Sequence, residues 1–98
     1  MKVSFLKRAL MVDQLRETES WRLKNHGLPG EFLKELENAV QEIEMAPKGY
    51  MVVSDSHGLR RYYEKRFHTH IIYQYIPEED SLRIVRMYNA RRKPVRFD

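Results

Sequence analysis

Two basic clusters bound the chemistry open to this sequence. Arg60 and Arg61 stand side by side, and Arg91, Arg92 and Lys93 follow one another before Pro94. Arginine presents a planar fork of N–H donors suited to bidentate contact with phosphate or carboxylate, so both clusters are candidate anion clamps. Between them lie His70, which can act as general acid or base near neutral pH, and Tyr88, which carries a hydroxyl. Asn89 can donate a hydrogen bond but cannot titrate. A solvated tail at 91–93 and a surface histidine at 70 are the plain alternatives. His26 and His57 sit beside glycines in turns, where no chemistry is expected of them. No pair of His, Asp or Glu has metal-ligand spacing, so neither a metal nor another cofactor is expected. The stretch HGLPG lacks the lysine of a phosphate loop and follows a predicted helix rather than a strand.

The charge is unevenly placed. Residues 1–58 hold 8 Lys/Arg against 9 Asp/Glu, whereas residues 59–98 hold 10 against 5, which together give the net +4 of the chain. The whole excess therefore sits in the C-terminal part, and eight of its ten cations are arginines. Such a patch suits an anionic partner, either nucleic acid or an acidic protein.

The elements that must position these residues follow from periodicity. KVSF is β-prone and predicts a first strand over 2–6. Leu10, Leu15 and Trp21 predict a helix over 8–25, closed by turn residues at 25–30. Phe32, Leu36, Ala39, Val40 and Ile43 follow helical spacing, so a second helix ends at Ala46 and Pro47 and makes an αα-hairpin with the first. The loop over 46–58 holds a short strand at 51–53. From Leu59 the period becomes two, which predicts strands over 59–67 and 68–76 that turn near 65–68. Ile71, Tyr73 and Tyr75 then face one way, and His70, Ile72, Gln74 and Ile76 the other. PEEDS makes a turn, and LRIVRMY the last strand.

The order β-α-α-β-β-β predicts an α+β domain spanning 1–98, with the helical hairpin on one face of a mostly antiparallel sheet. The other face is left for polar groups. Adjacent Arg60 and Arg61 must point oppositely, so at most one of them belongs to the open face. Arg86 and Tyr88 share parity with Leu82 and Ile84, which puts them on the core side unless a bulge intervenes.

The chain has 98 residues, 42% of them hydrophobic and 33% charged, as expected of one globular domain. With no cysteine, disulfides and thiolate metal sites are excluded. The N-terminus meets Lys7 and Arg8 before an apolar run can build, and no stretch approaches the roughly 20 apolar residues of a membrane span. A cytoplasmic location is expected.

The run from Leu59 to Pro94 resembles the C-terminal half of the RelE/ParE toxin superfamily, the toxins of bacterial type II toxin–antitoxin modules. The resemblance rests on the basic pair Arg60–Arg61, on Phe67 with Ile71 and Tyr73, on the acidic turn Glu78–Asp80, and on Arg92 with Pro94. EFLKELENAVQEIEMAPKG is similar to the second helix of that family and its exit. The resemblance implies a functional patch where the end of the last strand meets the start of the hairpin, and Arg61, which matches the family's basic position, is assigned to the open face. RelE-type members cut mRNA in the ribosomal A site, and ParE-type members poison DNA gyrase.

RelE-like nucleases carry an Arg where this chain has His70, and a Tyr near the C-terminus where it has Phe97. Other members carry a His where Asn89 stands. These departures favour the ParE-like reading, with Arg60, Arg61, Asn89, Arg91, Arg92 and Lys93 binding the target. The alternative is a ribosome-dependent, metal-free endoribonuclease using Arg61, His70, Tyr88 and Arg92. An inactive or general basic binding module is the third reading. Either toxin reading implies an acidic antitoxin as partner in a hetero-oligomer, and Ile72, Ile76 and Arg83 are expected to bind it.

Overall fold

The computed structural model describes residues 1–6 and 29–90. The expected helix over 8–25 and the basic residues 91–93 lie outside the described residues. Within them the order is β1 (Lys2–Phe5), α1 (Pro29–Met45), β2 (Met51–Ser54), β3 (Leu59–Glu64), β4 (Thr69–Ile76) and β5 (Ser81–Asn89). A short 3-10 turn, Pro77–Glu79, joins β4 to β5.

The strands form one sheet in the order β1-β5-β4-β3-β2. Neighbours β2 to β5 pair antiparallel, as tight turns allow, whereas β1 lies parallel to β5 from Lys2 opposite Ser81 to Phe5 opposite Ile84. A parallel pair needs a long crossover, and here the rest of the chain supplies it. The segment over 51–53 is thus a true strand that forms one edge of the sheet, with β1 at the other. This is an α+β fold with a five-stranded mixed sheet.

Helix α1 buries one stripe. Leu36, Ala39, Val40 and Ile43 pack with Ile71 and Tyr73 of β4 and with Leu82, Ile84 and Met87 of β5. Ile43, Ile71, Tyr73, Leu82 and Ile84 are wholly shielded from solvent. The helix ends as the sequence demands: Pro47 follows, and the N–H of Gly49 donates to the Ala46 carbonyl at 2.9 Å. Tyr73 pins this exit by donating its hydroxyl to the Pro47 carbonyl at 2.7 Å. Burial pushes the Tyr73 hydroxyl pKa up to about 12, against the opposing pull of Arg60 and with a smaller push from Tyr50. It therefore stays a donor across the physiological range.

The β3–β4 hairpin carries its own lock. Buried Glu64 accepts the backbone N–H groups of Arg66 at 2.7 Å and Phe67 at 2.8 Å, so its carboxylate satisfies the turn it precedes. Arg66 reaches back to Glu35 of α1 at 3.2 Å, and its guanidinium lies 5.1 Å from the Phe67 ring centre. His68 closes the turn with a left-handed φ of 53°.

One irregularity decides the layout of the sheet. Between β4 and β5 the register runs from Ile72 opposite Arg86 to Tyr73 opposite Ile84, which leaves Val85 as an extra residue. This β-bulge resets the alternation. Leu82, Ile84 and Met87 all enter the core under the helix, while Val85 and Tyr88 pack together on the opposite face. The bulge foreseen as the exception is therefore present, and the core-side placement of Arg86 and Tyr88 gives way to the open face.

Replacing Ile43 by Ala should lower the unfolding free energy by about 2–5 kcal/mol, since it deletes a fully buried side chain and leaves a cavity. Met45, two residues on but 82% exposed, should tolerate the same change within about 0.5 kcal/mol. Urea unfolding followed by circular dichroism measures both, and equal losses would contradict the assigned helix face.

Candidate functional site

Cross-strand partners share a face of the sheet. On the face away from α1, three rows result from the register. Leu59, Gln74 and Arg83 form the first; Arg61, Ile72 and Arg86 the second; Tyr63, His70 and Tyr88 the third. The alternation of β3 turns Arg61 toward this face and Arg60 away from it. Arg60 donates from Nη1 to the Tyr50 carbonyl at 2.8 Å, which ties the loop before β2 to the sheet.

The third row is a run of rings. His70 lies between Tyr63, at 5.2 Å between ring centres, and Tyr88, at 5.1 Å. Tyr63 also shares a 2.6 Å hydrogen bond between its Oη and Nδ1 of His68. His70 Nδ1 is buried and has no hydrogen-bond partner. Burial lowers the His70 pKa from its ordinary value, and the nearby Arg61 cation lowers it further. Both effects favour the neutral imidazole, in which one ring nitrogen can accept a proton. Arg61 is held on its other side by Met51, whose sulfur accepts from Nη2 at 3.1 Å.

This face is not bare. Ile72 is 0% exposed, sealed by Leu59 and Tyr88 with Val53 and Val85 around them. The expectation that Ile72 offers uncovered apolar area is corrected by this: among the described residues, side chains of the neighbouring strands pack over it. Ile76, at the end of β4, is half-buried. Arg83 is drawn into a contact along its own row, donating to Gln74 Oε1 at 3.3 Å.

Asn89 stands opposite Thr69, on the helix side, and its amide donates to the Phe67 carbonyl at 3.4 Å. The structure thus does not bring it into the row with His70. Arg91, Arg92, Lys93 and Phe97 lie outside the described residues. Tyr63 was absent from the sequence reading, although hairpin pairing with His70 would have signalled it. Among the described residues no group of three or more His, Asp or Glu could hold a metal ion, and no helix is long and apolar enough to cross a membrane.

Comparison with known proteins places the fold. No family model matches the chain, and no curated protein sequence does. Solved structures do match. A chain of the intact E. coli RelBE toxin–antitoxin complex is similar at 17% identity and a TM-score of 0.64, covering 93% of this chain and 98% of that one. The isolated E. coli RelE toxin gives 17% identity and 0.63, over 94% and 86% of the two chains. A chain of the chromosomal ParDE system from P. aeruginosa gives 16% identity and 0.63, over 91% and 95%. The chain has the RelE/ParE toxin fold, and both branches fit it equally well.

Titration of the ring C–H signals of His70 by NMR should give a midpoint below the ordinary 6.5. Arg61→Ala removes a positive neighbour and so should raise that midpoint, but only in part, because burial is the larger cause. A midpoint at or above 6.5 in the wild type would contradict the geometry described.

Proposed function

We propose that this chain is the toxin of a type II toxin–antitoxin module and that its open sheet face cleaves RNA without a metal. One observation carries this reading: His70 is lodged between two tyrosines in a row beside the one that holds Arg61 and Arg86. The similarity to chains from RelBE and ParDE complexes supports the toxin–antitoxin part.

Cleavage needs a base, a proton donor and cations for the charge that develops on phosphorus. In this reading His70 takes the proton from a ribose 2′-hydroxyl, whose oxygen attacks the adjacent phosphorus. Arg61 and Arg86 stabilise the added negative charge. Tyr88 protonates the departing 5′-oxygen, so the P–O5′ bond breaks as the P–O2′ bond forms. The products are a 2′,3′-cyclic phosphate and a free 5′-hydroxyl. The aromatic row also offers surfaces on which bases stack. Arg91, Arg92 and Lys93 extend the positive charge in sequence, and the ribosome is the setting that aligns the message.

A second reading keeps the same face as a basic docking surface for a protein target such as DNA gyrase. It is favoured by Asn89 and Phe97, neither of which can exchange a proton. In both readings the inhibitor is an acidic antitoxin that folds onto the toxin, with Arg83 and Ile76 among its contacts.

Expression in a bacterium should arrest growth, and primer extension on translated messages should reveal discrete cuts. His70→Ala should reduce cutting by about 10²–10⁴-fold, the range of a lost general base. Arrest with intact messages and altered supercoiling would instead select the gyrase reading. Antitoxin affinity should fall as salt rises, because exposed charges are screened; calorimetry at low and high ionic strength measures it, and equal affinities would refute the charge-based pairing.

A further inference from the structure

The cleavage reading uses one end of the open face, and the other end carries a cation it leaves idle. There, an open depression of about 590 Å³ is lined by Ser56, His57, Leu59, Gln74, Arg83 and Val85, among others. Among the described residues no carboxylate lines it. Gln74 is fixed at both ends of its amide: Oε1 accepts from Arg83 Nη1 at 3.3 Å, and Nε2 donates to the His57 carbonyl at 3.1 Å. Gly58 allows this approach, with a left-handed φ of 63° at the turn beside the amide. The amide thereby orients the guanidinium, which keeps four of its five N–H donors for something else.

We propose that Arg83 is a second phosphate-binding position, which holds a phosphodiester of the same RNA strand away from the bond that is cut. The proposal rests on the RNA-cleavage reading and extends it along the strand. Arg83 stands in the row of Gln74, and His70 lies four residues from Gln74 on β4, about 13 Å at strand rise. A single nucleotide cannot span both positions, whereas an oligonucleotide can. Between them stand Arg61 and Arg86, so cations recur along the face as phosphates recur along a strand. An arginine with no carboxylate beside it among the described residues, in an open and partly apolar hollow, suits a backbone phosphate flanked by sugar. An acidic protein segment is the competing occupant, and the test separates the two.

The experiment measures binding of a fluorescein-labelled single-stranded RNA pentanucleotide by anisotropy, at several NaCl concentrations, to wild type, Arg83→Gln and Arg83→Lys. Each neutralised phosphate of a single strand contributes about −0.7 to the slope of log K against log salt. Arg83→Gln should therefore make the slope shallower by about 0.7, while Arg83→Lys keeps the wild-type slope. A purely structural role for Arg83 would not move it, and thermal melts identify any unfolded variant, for which Arg83→Lys supplies the folded comparison. An unchanged slope in Arg83→Gln overturns the second position alone, as does a variant that loses antitoxin affinity but not RNA affinity. Absence of RNA binding by the wild type overturns this proposal, whereas the cleavage reading beneath it falls only if primer extension on translated messages shows no cuts.

Discussion

One extra residue in β5 determines which side chains meet on each side of the sheet. Without Val85 in excess, strict alternation from Leu82 and Ile84 would send Arg86 and Tyr88 under the helix and Met87 outward. A charged guanidinium would then sit where α1 brings Leu36, Val40 and Ile43, at a desolvation cost of several kcal/mol. The bulge removes that conflict by letting Met87 complete the core while Tyr88 turns to meet His70. Core packing and the aromatic row thus depend on the same local irregularity, which fits the tendency of bulges to re-aim side chains near functional sites.

The two faces of the sheet are built to different ends. The helix side is a dry layer closed by aliphatic side chains and by Tyr73, whose hydroxyl is spent on the Pro47 carbonyl. The opposite side has a small apolar floor of Leu59, Ile72 and Tyr88 beneath polar groups. That floor matters to the chemistry. It lowers the local dielectric around His70, which depresses the proton affinity of the ring and strengthens the influence of Arg61. A thin apolar layer under a charged surface therefore makes a neutral imidazole compatible with a strongly basic neighbourhood.

Much of this was legible in the sequence. The stripe from Leu36 to Ile43 marked the buried face of the helix, and the period-two pattern of residues 69–76 marked the sides of β4. Parity set Arg60 and Arg61 on opposite faces, and the resemblance to the family's basic position singled out Arg61 for the open one. The bulge was not legible, because it answers a packing demand that arises only once β5 lies against β4 and α1. Nor was the burial of Ile72, since alternation tells which side a residue faces and not how much its neighbours overhang it. Asn89 looked like part of the basic end of the chain, yet it follows the reset parity of β5 and turns toward Phe67.

The parallel pairing of β1 with β5 has a bearing on how the chain acquires its fold. Among the described strands β1 pairs with β5 alone and can do so only after β5 has emerged, so the sheet closes between the most distant parts of the described sequence. Such non-local contacts form late and slowly. Because Arg86 and Tyr88 reside on that final strand, a partly synthesised chain lacks both the closed sheet and the assembled aromatic row. The sheet and the row of rings are therefore completed together, once β5 is in place.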